Sequence, residues 1–217
     1  MIREFGLVDV YYLALAARWT LALTALAFIG GGVVGLLVAL MRVSPFGPLR
    51  AAGATYVAAV QGIPLLAWLF VFFFGLPIMT RVQVSPWLAA MIAYSIYAGA
   101  FLGEIWRGCL VAIPRQQWEA GSSLGLSFAQ QLRYVIGPQA LRISIPPTVG
   151  FLVQLIKNTS LAAVIGFIEL TREGQLTNAA TYRPFTVFGV VALIYFALCF
   201  PLTQLSRRLE RGLRVAR

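Results

Sequence analysis

Lys157, Asn158, Thr159 and Ser160 follow one another in a stretch that holds no other charge between Arg142 and Glu169. One ammonium and three hydrogen-bonding side chains can bind a polar group, but this set makes and breaks no bonds unaided. Polar clusters at membrane depth are costly and mark functional sites by default. The rival reading is a helix end at the outer interface, with Lys157 snorkelling to water. Histidine is absent, which removes the commonest general base and metal ligand. Lys157 is the only lysine and follows Ile156, so the Gly-Lys-Ser/Thr of a nucleotide-binding loop cannot be drawn. Cys109 and Cys199 are far apart, fit no metal spacing, and are expected in the inner half of the membrane or at its cytoplasmic face, where a disulfide is disfavoured. No cofactor or metal is expected in this chain. If ATP drives it, another subunit hydrolyses the nucleotide.

The longest polar interval, residues 114–138 (PRQQWEAGSSLGLSFAQQLRYVIGP), is the second candidate. Its pattern predicts two short helices. The first, over 116–124, ends at Gly125, the residue type that accepts the left-handed conformation after a helix. Ser127 can cap the second, with Gln130 three residues on to complete a capping box. Phe128, Leu132, Val135 and Ile136 fall on one face, and Pro138 stops the run. Such a helix is too polar to span a membrane and too apolar to lie free in water. Its apolar face calls for a groove on another protein; the bland alternative is an ordinary connector between spans.

The elements that position these residues are membrane spans. Hydrophobic residues make up 60% of the 217 and mean hydropathy is +0.84, whereas soluble domains are nearer half apolar. The net charge of +10 would suggest nucleic acid in a soluble chain. Here the arginines flank apolar runs, so membrane orientation explains them and nucleic acid is excluded.

The chain is uncharged between Arg18 and Arg42, enough for one span. Gly30, Gly31, Gly32 and Gly35 within it offer either a small-residue packing face or mere flexibility. A turn with Pro45, Gly47 and Pro48 leads to a second uncharged run ending at Arg81, interrupted at Gln61-Gly62-Ile63-Pro64. A third span covers about 86–105, with Trp87 near its outer boundary and Glu104 three residues before Arg107, close enough to pair. A fourth is expected from near Arg142, with Pro146 and Pro147 tolerable only in its first turn. The uncharged run before Lys157 is too short to cross alone, so the span continues through residues 157–161. Residues 169–183 form a loop or interfacial helix, and a last span over 184–206 precedes the basic tail RRLERGLRVAR.

With five spans, Arg42, Arg50, Arg107, Arg115, Arg133, Arg142 and the tail arginines share one side; Arg3, Arg18, Arg81, Arg172 and Arg183 share the other. The richer set belongs in the cytoplasm. The expected fold is therefore an all-α integral membrane protein of about five transmembrane helices, N-terminus outside, C-terminus cytoplasmic, with the 114–138 loop in the cytoplasm. No removable signal peptide is evident.

The loop also resembles the EAA loop of permease subunits of ATP-binding-cassette (ABC) importers: Glu-Ala-Ala, three residues, Gly, nine residues, Ile, one residue, Leu-Pro. Glu119, Ala120, Gly125 and Pro138 stand in register, while Gly121, Val135 and Gly137 replace the second Ala, the Ile and the Leu. QGIPLL, GPQALR, KNTSLAAVIGFIELTREGQ and RPF extend the likeness from about residue 20 to 211, and to the polar amino-acid branch in particular. The resemblance implies one permease domain over 1–217 in a bacterial inner membrane, in contact with lipid. It implies a cytoplasmic ABC ATPase dimer that binds the ATP-Mg, a second permease subunit, identical or homologous, and an extracytoplasmic amino-acid-binding protein. It further implies a polar or charged amino acid as cargo, substrate contacts at Asn158, Thr159 and Ser160, and ATPase coupling through Glu119, Ala120, Gly121, Gly125, Ser127 and Arg133.

Two other function classes compete. A secondary transporter would be expected to show internal repeats, paired broken spans and ionisable coupling residues, and no convincing repeat is found. An integral membrane enzyme would lack both histidine and a carboxylate pair at helical spacing inside a span.

Overall fold

The computed structural model describes residues 3–215. The tail's Arg217, counted above with the inner arginines, lies outside them. Among the described residues every regular element is helical. In chain order these are α1 (Leu7–Val43), α2 (Gly47–Gln61), α3 (Leu65–Thr80), α4 (Pro86–Val111), α5 (Arg115–Ser123), α6 (Phe128–Ile165), α7 (Leu170–Thr181) and α8 (Pro184–Val215). Among the described residues four of them, α1, α4, α6 and α8, are long and apolar enough to cross a membrane; α2 and α3, bent by 93° across the Gly62–Pro64 break, make a fifth if the bent pair is one span.

α1 starts well before the uncharged run that marked it. Asp9 does not delay it, because its carboxylate accepts from the Gly6 N–H at 2.9 Å and pairs with Arg3. A carboxylate in the first turn also suits the positive end of the helix. α1 and α4 run parallel in constant register: Trp19 meets Trp87, Gly31 lies on Ala98, and Gly35 on Leu102 and Gly103. A Cβ at Gly31 would collide with Ala98, and one on Gly103 would sit 2.8 Å from Val38 Cγ1. The glycines are therefore a packing face. At the far end Glu104 accepts from Arg42 at 3.0 Å and from Arg107 Nε at 2.9 Å, so the anticipated Glu104–Arg107 pair gains a third member from α1.

α6 runs antiparallel to α4, with Trp106 Nε1 donating to Thr148 Oγ1 at 2.9 Å and Tyr97 near Asn158. Three proline expectations fail here. Pro138 does not stop the second loop helix; a π turn over Leu132–Ile136, closed by the Gly137 N–H on Leu132 O, leads straight through Pro138 into α-helix. Gln139 Nε2 donates to Val135 O at 2.8 Å across that junction. Pro146 and Pro147 lie inside the helix rather than at its start, since the helix begins upstream of Arg142. Ser206 Oγ of α8 donates to Pro146 O at 2.9 Å, which ties α8 to α6 at this level. α8 likewise continues through Pro201 into the tail without a break.

The main core joins α1, α3, α4 and α6 around Leu23, Leu69, Tyr94, Ala98, Leu102 and Leu155. Both cysteines are free.

Candidate functional site

At Thr159 α6 changes from α to 3₁₀ geometry, which it keeps to Ile165. The local side chains favour that change, because Thr159 Oγ1 donates to Ile156 O at 2.7 Å and Ser160 Oγ to Lys157 O at 2.8 Å. Tyr94 of α4 donates its hydroxyl to Asn158 O at 2.6 Å, and Asn158 Nδ2 donates to the Tyr97 hydroxyl at 3.4 Å. Phe101 lies between Tyr97 and Phe151, with ring centroids 4.4 and 5.7 Å away. The expected trio thus divides. Asn158 and Ser160 are partly exposed, whereas Thr159 is fully buried with its hydroxyl occupied, and Lys157 is exposed. Tyr94 and Tyr97 were missed in the sequence, although tyrosines on an otherwise apolar span, one turn apart, are a readable sign of a polar neighbour.

Behind Thr159 lies a second polar group that the sequence presented as part of a loop. Glu169, fully buried, caps α7 by accepting from the Arg172 N–H at 2.9 Å. Its other oxygen accepts from Tyr195 of α8 at 2.8 Å and from Thr20 of α1 at 3.3 Å. Burial pushes the Glu169 carboxyl up from its ordinary value, against the opposing pull of the Thr171 and Arg172 N–H groups and the Tyr195 and Thr20 hydroxyls.

The 114–138 loop forms as its pattern predicts in its first half. α5 is followed by Gly125 at φ +73°, and Ser127 and Gln130 make the reciprocal capping box at 3.3 and 2.8 Å. The apolar face of the second helix is already occupied, which corrects the expectation that it must find a groove elsewhere. Phe128 stacks on Trp118, and Leu132, Val135 and Ile136 pack with Leu110, Ile113 and Ala140. What α5 leaves exposed is Glu119, paired to Arg115 at 3.1 Å, with Ala120 and Leu124, the last 79% exposed. Arg133 is also exposed, its guanidinium 5.5 Å from the Tyr134 ring centre.

Gly121 is buried, and its replacement of alanine has a visible counterpart. A Cβ there would lie 2.9 Å from Gln131 Cγ, and Gln131 is fixed by bonds from its Nε2 to Leu126 O at 2.9 Å and Ser122 Oγ at 3.1 Å. Gly121→Ala, which restores the family's residue, is therefore expected to loosen the loop by about 1–3 kcal/mol, the usual range for overpacking. Adding Gln131→Ala should remove that effect. Limited proteolysis of the loop measures both, and equal cutting of wild type and Gly121→Ala would refute the steric argument.

Comparison with known proteins places this arrangement. Residues 31–215 match the model of the binding-protein-dependent transport system inner membrane component family. The chain belongs to that family. This permease is 40% identical over 196 residues to the L-cystine transport system permease protein TcyB of Bacillus subtilis (strain 168), covering 90% of this chain and 83% of that one. It is 34% identical over 200 residues to the glutamine transport system permease protein GlnP of Escherichia coli (strain K12), covering 92% and 91%. A crystal structure of an amino acid ABC transporter with histidines superposes with a TM-score of 0.88 at 30% identity, over 98% of this permease and 99% of that chain. The fold is shared as well with the MetNI methionine ABC transporter in an inward-facing form, TM-score 0.79 at 22% identity, over 93% and 96%. The permease is thus a multi-pass protein of a bacterial inner membrane and the membrane component of a transport system.

Proposed function

We propose that this permease is a subunit of an ATP-driven importer of polar amino acids, oriented with its N-terminus outside and α5 in the cytoplasm. Residues 1–217 act as one domain that pairs with a second permease subunit, identical or homologous. A cytoplasmic ATPase dimer carries the ATP-Mg and docks on the exposed side of α5 around Glu119, and an extracytoplasmic binding protein delivers the amino acid. The cargo class is carried over from the cystine and glutamine permeases to which the chain is similar. The observation that carries the site is the change of α6 to 3₁₀ geometry after Asn158, where a partly exposed amide stands beside the hydroxyl of Tyr97 in an aromatic wall. Asn158 and Ser160 contact the amino acid there, and Thr159 shapes the turn from inside. Each hydroxyl of the turn is tied to its own helix, which leaves the Asn158 amide the most available donor and acceptor.

Proteoliposomes holding the whole complex test this reading. Asn158→Leu keeps the volume and removes the amide, and loss of one hydrogen-bonding partner costs about 1–3 kcal/mol. Uptake of the transported amino acid is expected to fall roughly tenfold at subsaturating substrate, with the ATPase still co-purifying. Wild-type uptake by Asn158→Leu would sink the assignment of this turn.

A further inference from the structure

Glu169 has no part in the proposed transport route, yet it is a carboxylate at 0% exposure with no basic side chain paired to it among the described residues. Burying a charge is expensive unless hydrogen bonds replace the lost water. Here donors from three elements do so: the N-terminus of α7, Thr20 of α1 and Tyr195 of α8. The donors are themselves linked. Thr20 Oγ1 accepts from the Leu170 N–H at 3.2 Å, and the Tyr195 hydroxyl lies 3.0 Å from Thr171 Oγ1. A capping serine or asparagine could start α7 at less cost; only a side chain with two strong acceptor oxygens can gather all three elements at one point.

Residues 158–169 therefore form a strap held at both ends. At the near end Tyr94 and Tyr97 bond Asn158; at the far end Glu169 is bound to α1, α7 and α8. We infer that Glu169 is a positioning residue for transport, holding the far end of this strap so that Asn158 presents its amide at one fixed place and angle. This inference rests on the reading of Asn158 as a substrate contact. Glu169 acts through the strap, from behind Thr159, and touches no substrate.

The two claims separate in a double-mutant cycle on the reconstituted complex, with uptake normalised to assembled complex. Glu169→Ala strands the hydroxyls of Thr20 and Tyr195 and frees the first turn of α7. Its KM should rise about tenfold while maximal uptake changes less than about twofold, as expected when positioning for binding is lost. Glu169→Gln keeps the shape and lets both hydroxyls rotate to accept from the amide, so its KM should rise no more than about threefold. Tyr195→Phe, which removes one donor and keeps the ring, should raise KM as well; these two variants carry the test if Glu169→Ala fails to assemble. In an Asn158→Leu background the Glu169 change should add little, because both act on one contact. Full additivity would overturn the positioning role, as would a Glu169→Ala complex with wild-type KM, or a loss that merely tracks the yield of complex. If Asn158→Leu itself leaves uptake unchanged, the reading of the turn fails first. Impaired Asn158→Leu beside unimpaired Glu169 variants would overturn only the strap.

Discussion

Gly35→Leu is expected to cost at least about tenfold in recoverable, monodisperse permease, while Gly32→Leu, three residues earlier, is expected to behave as wild type. A Cβ at Gly35 would lie 2.9 Å from Leu102 Cβ, 3.0 Å from Gly103 N and 3.1 Å from Gly99 O. Two of those atoms are backbone and cannot step aside. The contact is reciprocal, since a Cβ on Gly99 would sit 2.6 Å from Val34 Cγ1. In lipid there is no hydrophobic drive to hold α1 on α4; close packing and bonds between helices must do it. Separating the pair would also draw Arg42 away from Glu104, leaving that carboxylate with Arg107 alone. Gly32 faces the other way, and the nearest atom to its Cβ is Trp106 Cη2 at 3.8 Å. Size-exclusion profiles and thermal midpoints in detergent read the difference. Equal profiles for the two variants would show that the glycine face does not hold the helices together.

That face also marks how far sequence reasoning reaches. Spaced glycines in a span announce a close approach, but nothing in the chain names α4 as the neighbour or fixes the parallel register. Charge served well for counting spans and poorly for bounding them. Asp9 and Arg18 lie inside α1, because a carboxylate bonded to Gly6 and Arg3 at a helix start no longer needs bulk water. The break at Gly62–Pro64 was legible, since proline and glycine act locally, although its angle was not. Proline misled in α6 for the opposite reason: a π turn over Leu132–Ile136 carries the helix into Pro138, and the helix starts upstream of Pro146 and Pro147, so none of the three marks a helix end.

The two sites show the same division. Gly125 and the Ser127–Gln130 box were readable because each involves residues three or fewer apart. Asn158 was readable as a polar residue in an apolar stretch, but the inward turn of Thr159 was not, since it follows from a helix type set by i to i−3 bonds. Glu169 was the deepest miss. Thr20 stands 149 residues away from it, and only the folded bundle brings them together. Its one local sign was an acidic residue directly before an amphipathic run, the position of a helix cap.

Glu119→Lys and Gly125→Val are expected to insert normally and to lose substrate-stimulated ATP hydrolysis in the reconstituted complex, each by at least about tenfold. Glu119 is exposed and, among the described residues, its only ion pair is local, with Arg115. Surface pairs of this kind contribute little to stability, so its charge is free to serve a partner. Reversing it sets two cations one turn apart on the face proposed to meet the ATPase. Gly125 acts differently. The chain turns through its φ of +73°, with the Gly125 N–H bonded to Ser122 O at 2.9 Å and the Leu126 N–H to Gly121 O at 3.1 Å. Among the described residues no atom beyond its chain neighbours lies within 4 Å of where a Cβ would stand, so the effect of valine is chiefly backbone strain, about 1–2 kcal/mol or more for a branched side chain. Relief of that strain would swing α5 relative to the start of α6, and α6 is continuous from the loop to Asn158. The proposed docking face on α5 is thus joined through the Gly125 turn to the helix that carries Asn158. Pull-down of the ATPase separates the two routes to failure: Glu119→Lys should weaken capture, whereas Gly125→Val should retain capture and uncouple. Full stimulation in both variants would reduce residues 114–138 to a connector and leave the α5 face without a role.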